Sequence, residues 1–146
     1  MSRALSVRIS DRTRAKLAEQ ARREGIKVHA LAVRAVEEAV RTATHPAVRF
    51  EDRGEGRRAI VGGWELWEVV AAFLYAQEDL AVAATELAVS PQIVEAAIAY
   101  YGEFNEEIDL LLAADLAARD RHARDGQGDF GRGIAVLRNA PGRRCA

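Results

Sequence analysis

Apolar and polar residues alternate near the start of the chain. In ALSVRIS, positions 4–10, every second residue is apolar: Leu5, Val7 and Ile9. This period of two is typical of a strand with one apolar and one polar face. A lone strand leaves its backbone groups unpaired, so we expect it to pair with the same strand of a second copy. The pattern predicts a dimer built on a two-stranded ribbon.

Two helical patterns follow this strand. Ser10 is a favourable N-cap, and the first helix is predicted to run to about Glu24, with Gly25 leaving in a left-handed conformation. The second helix is predicted over about 28–42, where apolar residues recur at helical spacing. Some forty residues with so thin a core are not expected to fold as a monomer. Intertwining two copies supplies the missing apolar surface.

The middle of the chain predicts a hairpin followed by helices. Two short alternating runs within residues 44–63 are joined by a glycine-containing loop at 53–56. Helices are then expected at about 64–77, 78–88, 91–102 and 106–124. The predicted fold class is therefore mainly α with short β, in which a dimeric ribbon-helix-helix precedes a β-hairpin and a module of three to four helices.

A net charge of −1 conceals a strong partition along the chain. Residues 1–43 hold 10 basic and 5 acidic side chains, residues 44–112 hold 4 and 13, and residues 113–146 hold 7 and 4. DNA affinity comes largely from phosphate neutralisation, so only the first segment, doubled by dimerisation, suits a duplex. We predict a DNA-binding and dimerisation domain at 1–43, an acidic module at 44–124 and a basic tail at 125–146.

The first segment resembles a known family. The strand, helix, glycine turn and helix from Arg3 to Arg41 resemble the ribbon-helix-helix family of small dimeric repressors, many of which are antitoxins. The resemblance implies that outward strand residues read bases in the major groove of a palindromic operator and that the start of the second helix holds a phosphate. The predicted DNA-binding residues are Arg3, Ala4, Ser6, Arg8, Arg12, Lys27, Val28 and His29.

Two features of this prediction qualify the resemblance. A Ser or Thr cap is common in the family where Lys27 stands here, and its absence weakens the expected phosphate clamp. Arg8 has an alternative interpretation, as a solvated residue on an amphipathic edge strand. We expect base recognition to depend on Ser6 and Arg8, because arginine matches the O6 and N7 atoms of guanine.

A second pair of helices, meeting at Val89 and Ser90, has the spacing of a helix-turn-helix. Its second helix, SPQIVEAAIAYY, contains no Lys or Arg and lies in the acidic segment. Base reading by this helix is therefore disfavoured. A packing unit or a protein-binding surface is the better prediction.

The acidic module also resembles a known family. RRAIVGGWELWEVV, SPQIVEAAIAYY and NEEID, in that order within His45 to Asp109, resemble a bacterial domain family of formally unknown function with a hairpin and a helix-turn-helix-like core. Such domains occur in antitoxins of type II modules, often beside PIN-like ribonuclease toxins. Residues 63–66 depart from the Gly-x-Arg-Ile-like turn of many members, so no role of that arginine transfers to this chain.

The C-terminal residues 125–146 are glycine-rich and basic, with one apolar island at 134–137. They are either a flexible end with an incidental apolar patch or a segment that orders on a partner. In the second interpretation, arginines pair with carboxylates of an acidic nuclease site while the island docks in a groove. The predicted toxin-binding residues are Arg132, Ile134, Val136, Leu137, Arg138, Arg143 and Arg144.

The sequence carries no pattern typical of an enzyme. The three histidines are scattered, Cys145 is the lone cysteine, and neither a zinc-spaced Cys/His set nor a phosphate loop occurs. We therefore expect no catalytic residue, cofactor or metal. Without an apolar run long enough for a membrane span or a secretion leader, a cytoplasmic location is expected.

Together these patterns predict an antitoxin and autorepressor: a homodimer, or a higher oligomer, that binds operator DNA and neutralises a cognate toxin, expected to be a PIN-like ribonuclease. The alternative is a stand-alone ribbon-helix-helix transcriptional regulator whose acidic module only mediates protein interaction. A third interpretation is a protein-interaction module that never touches DNA.

Overall fold

A computed structural model of the chain describes residues 4–54 and 56–124. The chain divides into two compact units, residues 1–43 and residues 44–146. Within the described residues there are six helices and one small antiparallel sheet of three strands. The mainly helical character predicted with short strands is thus confirmed.

The N-terminal unit contains helices α1 (Asp11–Glu24) and α2 (Val28–Thr44). Oγ of Ser10 accepts a hydrogen bond from the backbone N–H of Thr13 at 3.1 Å, which satisfies one free donor at the start of α1. Gly25 ends the helix with φ +66°, and the N–H of Ile26 donates to the carbonyl of Ala21. The predicted cap and left-handed exit of α1 are both confirmed.

The predicted N-terminal strand is not formed in the single chain. Residues 4–10 carry no regular structure and are exposed on both their apolar and their polar positions. The order of elements is therefore helix, helix and then strands, and the ribbon-first expectation is wrong for one copy. The physical reason is that a strand gains its hydrogen bonds only from a neighbouring strand, and one chain supplies none in the described part of this unit.

The C-terminal unit opens with the predicted hairpin. Strands β1 (Val48–Asp52) and β2 (Arg57–Val61) pair antiparallel, with Val48 opposite Val61. A tight turn then leads into β3 (Trp64–Glu65), which pairs with β2 in the sheet order β1-β2-β3. The sequence pattern predicts helix at residues 64 and 65. They pair with β2 instead, so the helix begins two residues later.

Four helices complete the C-terminal unit: α3 (Leu66–Tyr75), α4 (Leu80–Leu87), α5 (Pro91–Glu103) and α6 (Asn105–Arg124). Glu65 and Glu68 form a reciprocal capping box at the start of α3, and the Asp79 carboxylate accepts from two amides at the start of α4. Pro91 occupies the first turn of α5, where its missing N–H costs no hydrogen bond.

The core of the C-terminal unit lies between the sheet and helices α3, α4 and α5, with Ile108 added from α6. Its largest fully buried side chain is Tyr100, whose hydroxyl donates to Glu107 at 2.5 Å. Rings of His45 and Phe104 pack against Tyr100 at 5.3 and 4.8 Å between centroids. Other residues of this core include Val48, Val61, Leu66, Val69, Val70, Ala83, Val94 and Ala97.

The two units differ greatly in how much apolar surface they bury. In the described part of the N-terminal unit, the buried apolar residues are Ala21 and Leu31. The C-terminal unit closes a continuous apolar core that its sheet and all four of its helices share. A single copy therefore stabilises its C-terminal unit by burial and leaves its N-terminal unit short of core.

No single helix among the described residues is long and apolar enough to cross a membrane. Helices α4 and α5 reach the necessary length and composition only as a pair, and that pair is bent by 111°.

Candidate nucleic-acid interface

The segment before α1, residues 4–10, is exposed at every position. Leu5 is 78% exposed and Val7 63% exposed, although both belong to the apolar face of the alternating pattern. The polar Ser6 and Arg8 between them are exposed as well. Three apolar side chains within five residues are thus exposed in one copy, a pattern typical of surfaces that bind another molecule.

Helix α2 leaves an apolar face uncovered in the same unit. Val33, Val36 and Val40 recur at intervals of three and four residues, so they lie on one side of the helix. All three are exposed, and Val36 is 52% exposed. Leu31 is the buried apolar residue of this helix. The N-terminal unit thus carries apolar surface on the segment and on α2 that one copy does not bury.

The start of α2 is open to solvent, as a phosphate site requires. The carbonyl of Lys27 accepts the first helical hydrogen bond from Leu31 at 3.1 Å, and Lys27, Val28 and His29 are all exposed. The side chain of Lys27 has no oxygen with which to cap the first amides. These amides and the positive end of the helix dipole remain suited to an anion.

Some basic side chains of the N-terminal unit pair with its own carboxylates, and others are exposed around the start of α1. Arg34 pairs with Glu24 at 2.5 Å, and Arg23 pairs with Glu19, so these arginines are held by carboxylates of their own unit. Arg8 and Arg12 are exposed around the start of α1. Counting charges along the sequence did not reveal these internal pairs. Arg14, Lys16 and Arg22, further along α1, are exposed as well.

The predicted DNA-binding residues therefore occupy three exposed places: Ala4, Ser6 and Arg8 in the segment, Arg12 in the first turn of α1, and Lys27 to His29 at the start of α2. Arg3 lies outside the described residues. The predicted toxin-binding residues 132–144 also lie outside the described part of the chain.

Helices α4 and α5 have the bend of a helix-turn-helix without its chemistry. Their axes turn by 111°, within the range of that motif. The exposed side of α5 includes Gln92, Glu95 and Ala99, and α5 carries no Lys or Arg. Helix α5 therefore offers no side-chain charge that would neutralise phosphates, and the bend alone does not make it a DNA reader.

A cavity of about 290 Å³ in the C-terminal unit holds charged side chains that pair internally. Glu65 accepts from the indole N–H of Trp67 at 2.6 Å and lies 3.6 Å from Nε of Arg58. Asp115, which also lines the cavity, pairs with Arg119 at 2.7 Å. Within residues 4–54 and 56–124, no group of three or more His, Cys, Asp or Glu side chains is arranged to hold a metal ion.

Comparison of the chain with protein-family models, curated proteins and solved structures finds no match.

Proposed function

We propose that this protein is a dimeric, DNA-binding autorepressor and the antitoxin of a type II toxin-antitoxin module. The observation that carries the proposal is the uncovered apolar row of Leu5, Val7 and Ile9, placed directly before a capped helix in a basic unit. Pairing this segment with its copy satisfies the strand hydrogen bonds and covers the row at the same time.

Such a pairing places the polar side chains where DNA reading needs them. Ser6 and Arg8 alternate with the apolar row, so they project from the opposite face of the ribbon. A two-stranded ribbon fits the major groove, and two symmetry-related copies of Arg8 read a palindrome. The start of α2 binds a backbone phosphate in each half-site.

Substitution of Arg8 tests the DNA half of the proposal. The probe is the duplex immediately upstream of the protein's own coding sequence, titrated with the full chain by fluorescence anisotropy. Arg8→Ala is expected to cost about 1–3 kcal/mol at the specific site and to leave binding to random DNA little changed. Arg49→Ala, which removes an exposed charge from β1, is the matched control. Equal affinity and equal site preference of parent and Arg8→Ala would exclude base reading.

The antitoxin half draws its support from the acidic C-terminal unit and from the resemblance of its sequence to antitoxin-associated domains. We propose that a cognate toxin, a PIN-like ribonuclease, binds this region of the chain in the cytoplasm. The test is co-expression with the product of the neighbouring reading frame. Rescue of growth and co-purification support the proposal. A non-toxic neighbour, or one that never co-purifies, leaves a stand-alone regulator.

One variant separates the proposed operator binding from the proposed toxin neutralisation. Arg8→Ala is expected to lose operator selectivity and still to rescue growth, because Arg8 lies in the N-terminal unit and the proposed toxin contacts do not. Loss of rescue by this variant would contradict the proposal that the N-terminal unit binds DNA and the C-terminal region binds the toxin.

A further inference from the structure

Helix α6 carries two opposite faces with different roles. Ile108 is buried, Leu112 packs against the core, and the guanidinium of Arg119 lies 5.0 Å from the ring centroid of Tyr75 at the end of α3. These residues hold one face of α6 against the C-terminal unit. At 100° per residue, the opposite face is formed by Leu110, the residue four positions before it, and the residues three, four, seven and eleven positions after it.

This opposite face, which we call the outer stripe, is exposed along its length. Leu110 is 73% exposed, the highest value among the large apolar residues in the described part of the C-terminal unit. The stripe consists of Glu106, Leu110, Ala113, Ala114, Ala117 and Arg121, all exposed. It covers about 22 Å of helix at 1.5 Å per residue. An acidic residue begins it, a basic residue ends it, and small residues fill its centre.

The order of residues along the outer stripe is self-complementary. When a second copy of α6 runs antiparallel, with the two-fold axis between Ala113 and Ala114, Leu110 faces the partner's Ala117. In the same register, Glu106 faces the partner's Arg121, and both contacts occur twice. A parallel arrangement instead places Glu106 against its own copy, which like charges disfavour.

The charges at the two ends of α6 also favour the antiparallel arrangement. The first turn of α6 contains Glu106 and Glu107, and its last turn contains Arg121, His122 and Arg124. Antiparallel packing sets the acidic end of each helix beside the basic end of the other. Alanines at the crossing allow the helix axes to approach to about 8 Å, and Leu110 fills the space left by a small residue opposite.

We propose that α6 is a second self-association surface, at which the outer stripes of two copies pair antiparallel. The pairing is independent of DNA and of a toxin. It joins chains through the C-terminal unit, whereas the proposed ribbon joins them through the N-terminal unit. Where both interfaces form within one pair of chains, the ribbon raises the effective concentration of the stripes for each other.

A charge-swap experiment tests the stripe in the full chain. Val36→Glu places a charge on the apolar face of α2 and so disables the N-terminal interface. By sedimentation equilibrium, this variant is expected to retain twice the 16.0 kDa mass of one chain. Adding Arg121→Glu reduces the mass to that of one chain, because the introduced carboxylate then faces the partner's Glu106. Adding Glu106→Arg as well restores the double mass.

A control variant tests whether any charge reversal would dissociate the chains. Arg49→Glu makes the same charge change on β1, and in the Val36→Glu background it is expected to keep the double mass. Each reversal places an unfavourable charge at an end of the α6 dipole, so restoration by the double change cannot come from a more stable helix. A single-chain mass for Val36→Glu itself, or no restoration by the swap, overturns the proposal.

A cross-link locates the contact independently of the N-terminal interface. In a Cys145→Ser background, Ala114→Cys places a thiol near the two-fold axis and is expected to give an intermolecular disulfide under mild oxidation. Glu95→Cys, at an exposed position of α5, is the control and is expected to stay reduced. Equal cross-linking at both positions contradicts the pairing. Because operator binding is measured separately through Arg8, failure of the stripe and failure of the proposed function are told apart.

Discussion

Gly62 shows how one residue constrains the packing of the C-terminal unit. It lies in the turn between β2 and β3 with φ +58°, and a Cβ built on it would come within 2.6 Å of Cγ2 of Ile93 in α5. Gly62→Ala therefore combines left-handed strain with a steric clash. We expect a loss of about 2–4 kcal/mol in the free energy of unfolding, measured by urea denaturation.

Two further variants separate the clash from the strain. In an Ile93→Ala background the clash is removed, so Gly62→Ala is expected to cost only about 1–2 kcal/mol more than Ile93→Ala alone. Gly102→Ala is the matched control, since Gly102 is helical and a Cβ added to it would have no neighbour within 4 Å; it is expected to stabilise the chain slightly. Equal costs of Gly62→Ala in both backgrounds would show that Ile93 does not confine this turn.

A hydrogen bond between a tyrosine and a carboxylate links helix α5 to helix α6. The Tyr101 hydroxyl donates to Asp109 at 2.6 Å. This hydrogen bond, then burial, then the charge of Asp109 raise the pKa of Tyr101 above its ordinary value of 10.0. The folded chain therefore keeps the phenol proton to higher pH than the unfolded chain. The stability that the pair contributes is present below about pH 10 and is lost as the pH rises through the raised pKa.

Tyr101→Phe removes this linkage. We expect the stability difference between parent and Tyr101→Phe, measured by urea denaturation, to be constant up to about pH 9 and to shrink at higher pH. Asp109→Asn is expected to lower the pKa of Tyr101, so its phenol absorbance changes at lower pH than in the parent. A difference that grows with pH would show that the sign of the linkage is wrong.

The elements of the fold were largely predictable because their signals are local. Ser10 and Gly25 mark the ends of α1, and Pro91 marks the start of α5, each through its own backbone chemistry. The short strand β3 was not predictable in this way. Its two residues form it only because β2 lies beside them, a contact that periodicity does not encode.

The candidate sites were less predictable for the same reason. The alternating pattern of residues 4–10 indicates a strand, yet strand pairing depends on a neighbour that one copy lacks among its described residues. Arg34 pairs with Glu24, ten residues earlier in the sequence, so counting charges could not exclude Arg34 from the predicted DNA-binding surface. The sequence pattern of α6 does not indicate which of its faces packs inward. Burial of Ile108 and packing of Leu112 against the core identify that face, and the outer stripe lies opposite to it.

The N-terminal and C-terminal units carry opposite net charges. The N-terminal unit is basic and short of core, whereas the C-terminal unit is acidic and closes its own core. The proposed DNA binding is therefore expected to depend on the proposed association of the N-terminal units and not on the α6 stripe. Substitutions of Val36 and Arg121 each test one of the two proposed interfaces. Both residues are exposed in the single chain, so neither stabilises its own unit by burial.

Val36→Glu is expected to abolish specific operator binding, with a larger loss than Arg8→Ala, because N-terminal units that do not associate form no ribbon, even where α6 still joins the chains. Val82→Glu, at a similarly exposed valine in α4, is the control and should bind like the parent. Arg121→Glu should also bind, since the ribbon remains intact. The measurement is fluorescence anisotropy with the upstream duplex, with circular dichroism to check that each variant is folded. If Val36→Glu binds the duplex as tightly as the parent, the apolar face of α2 is not the surface that joins two DNA-reading copies.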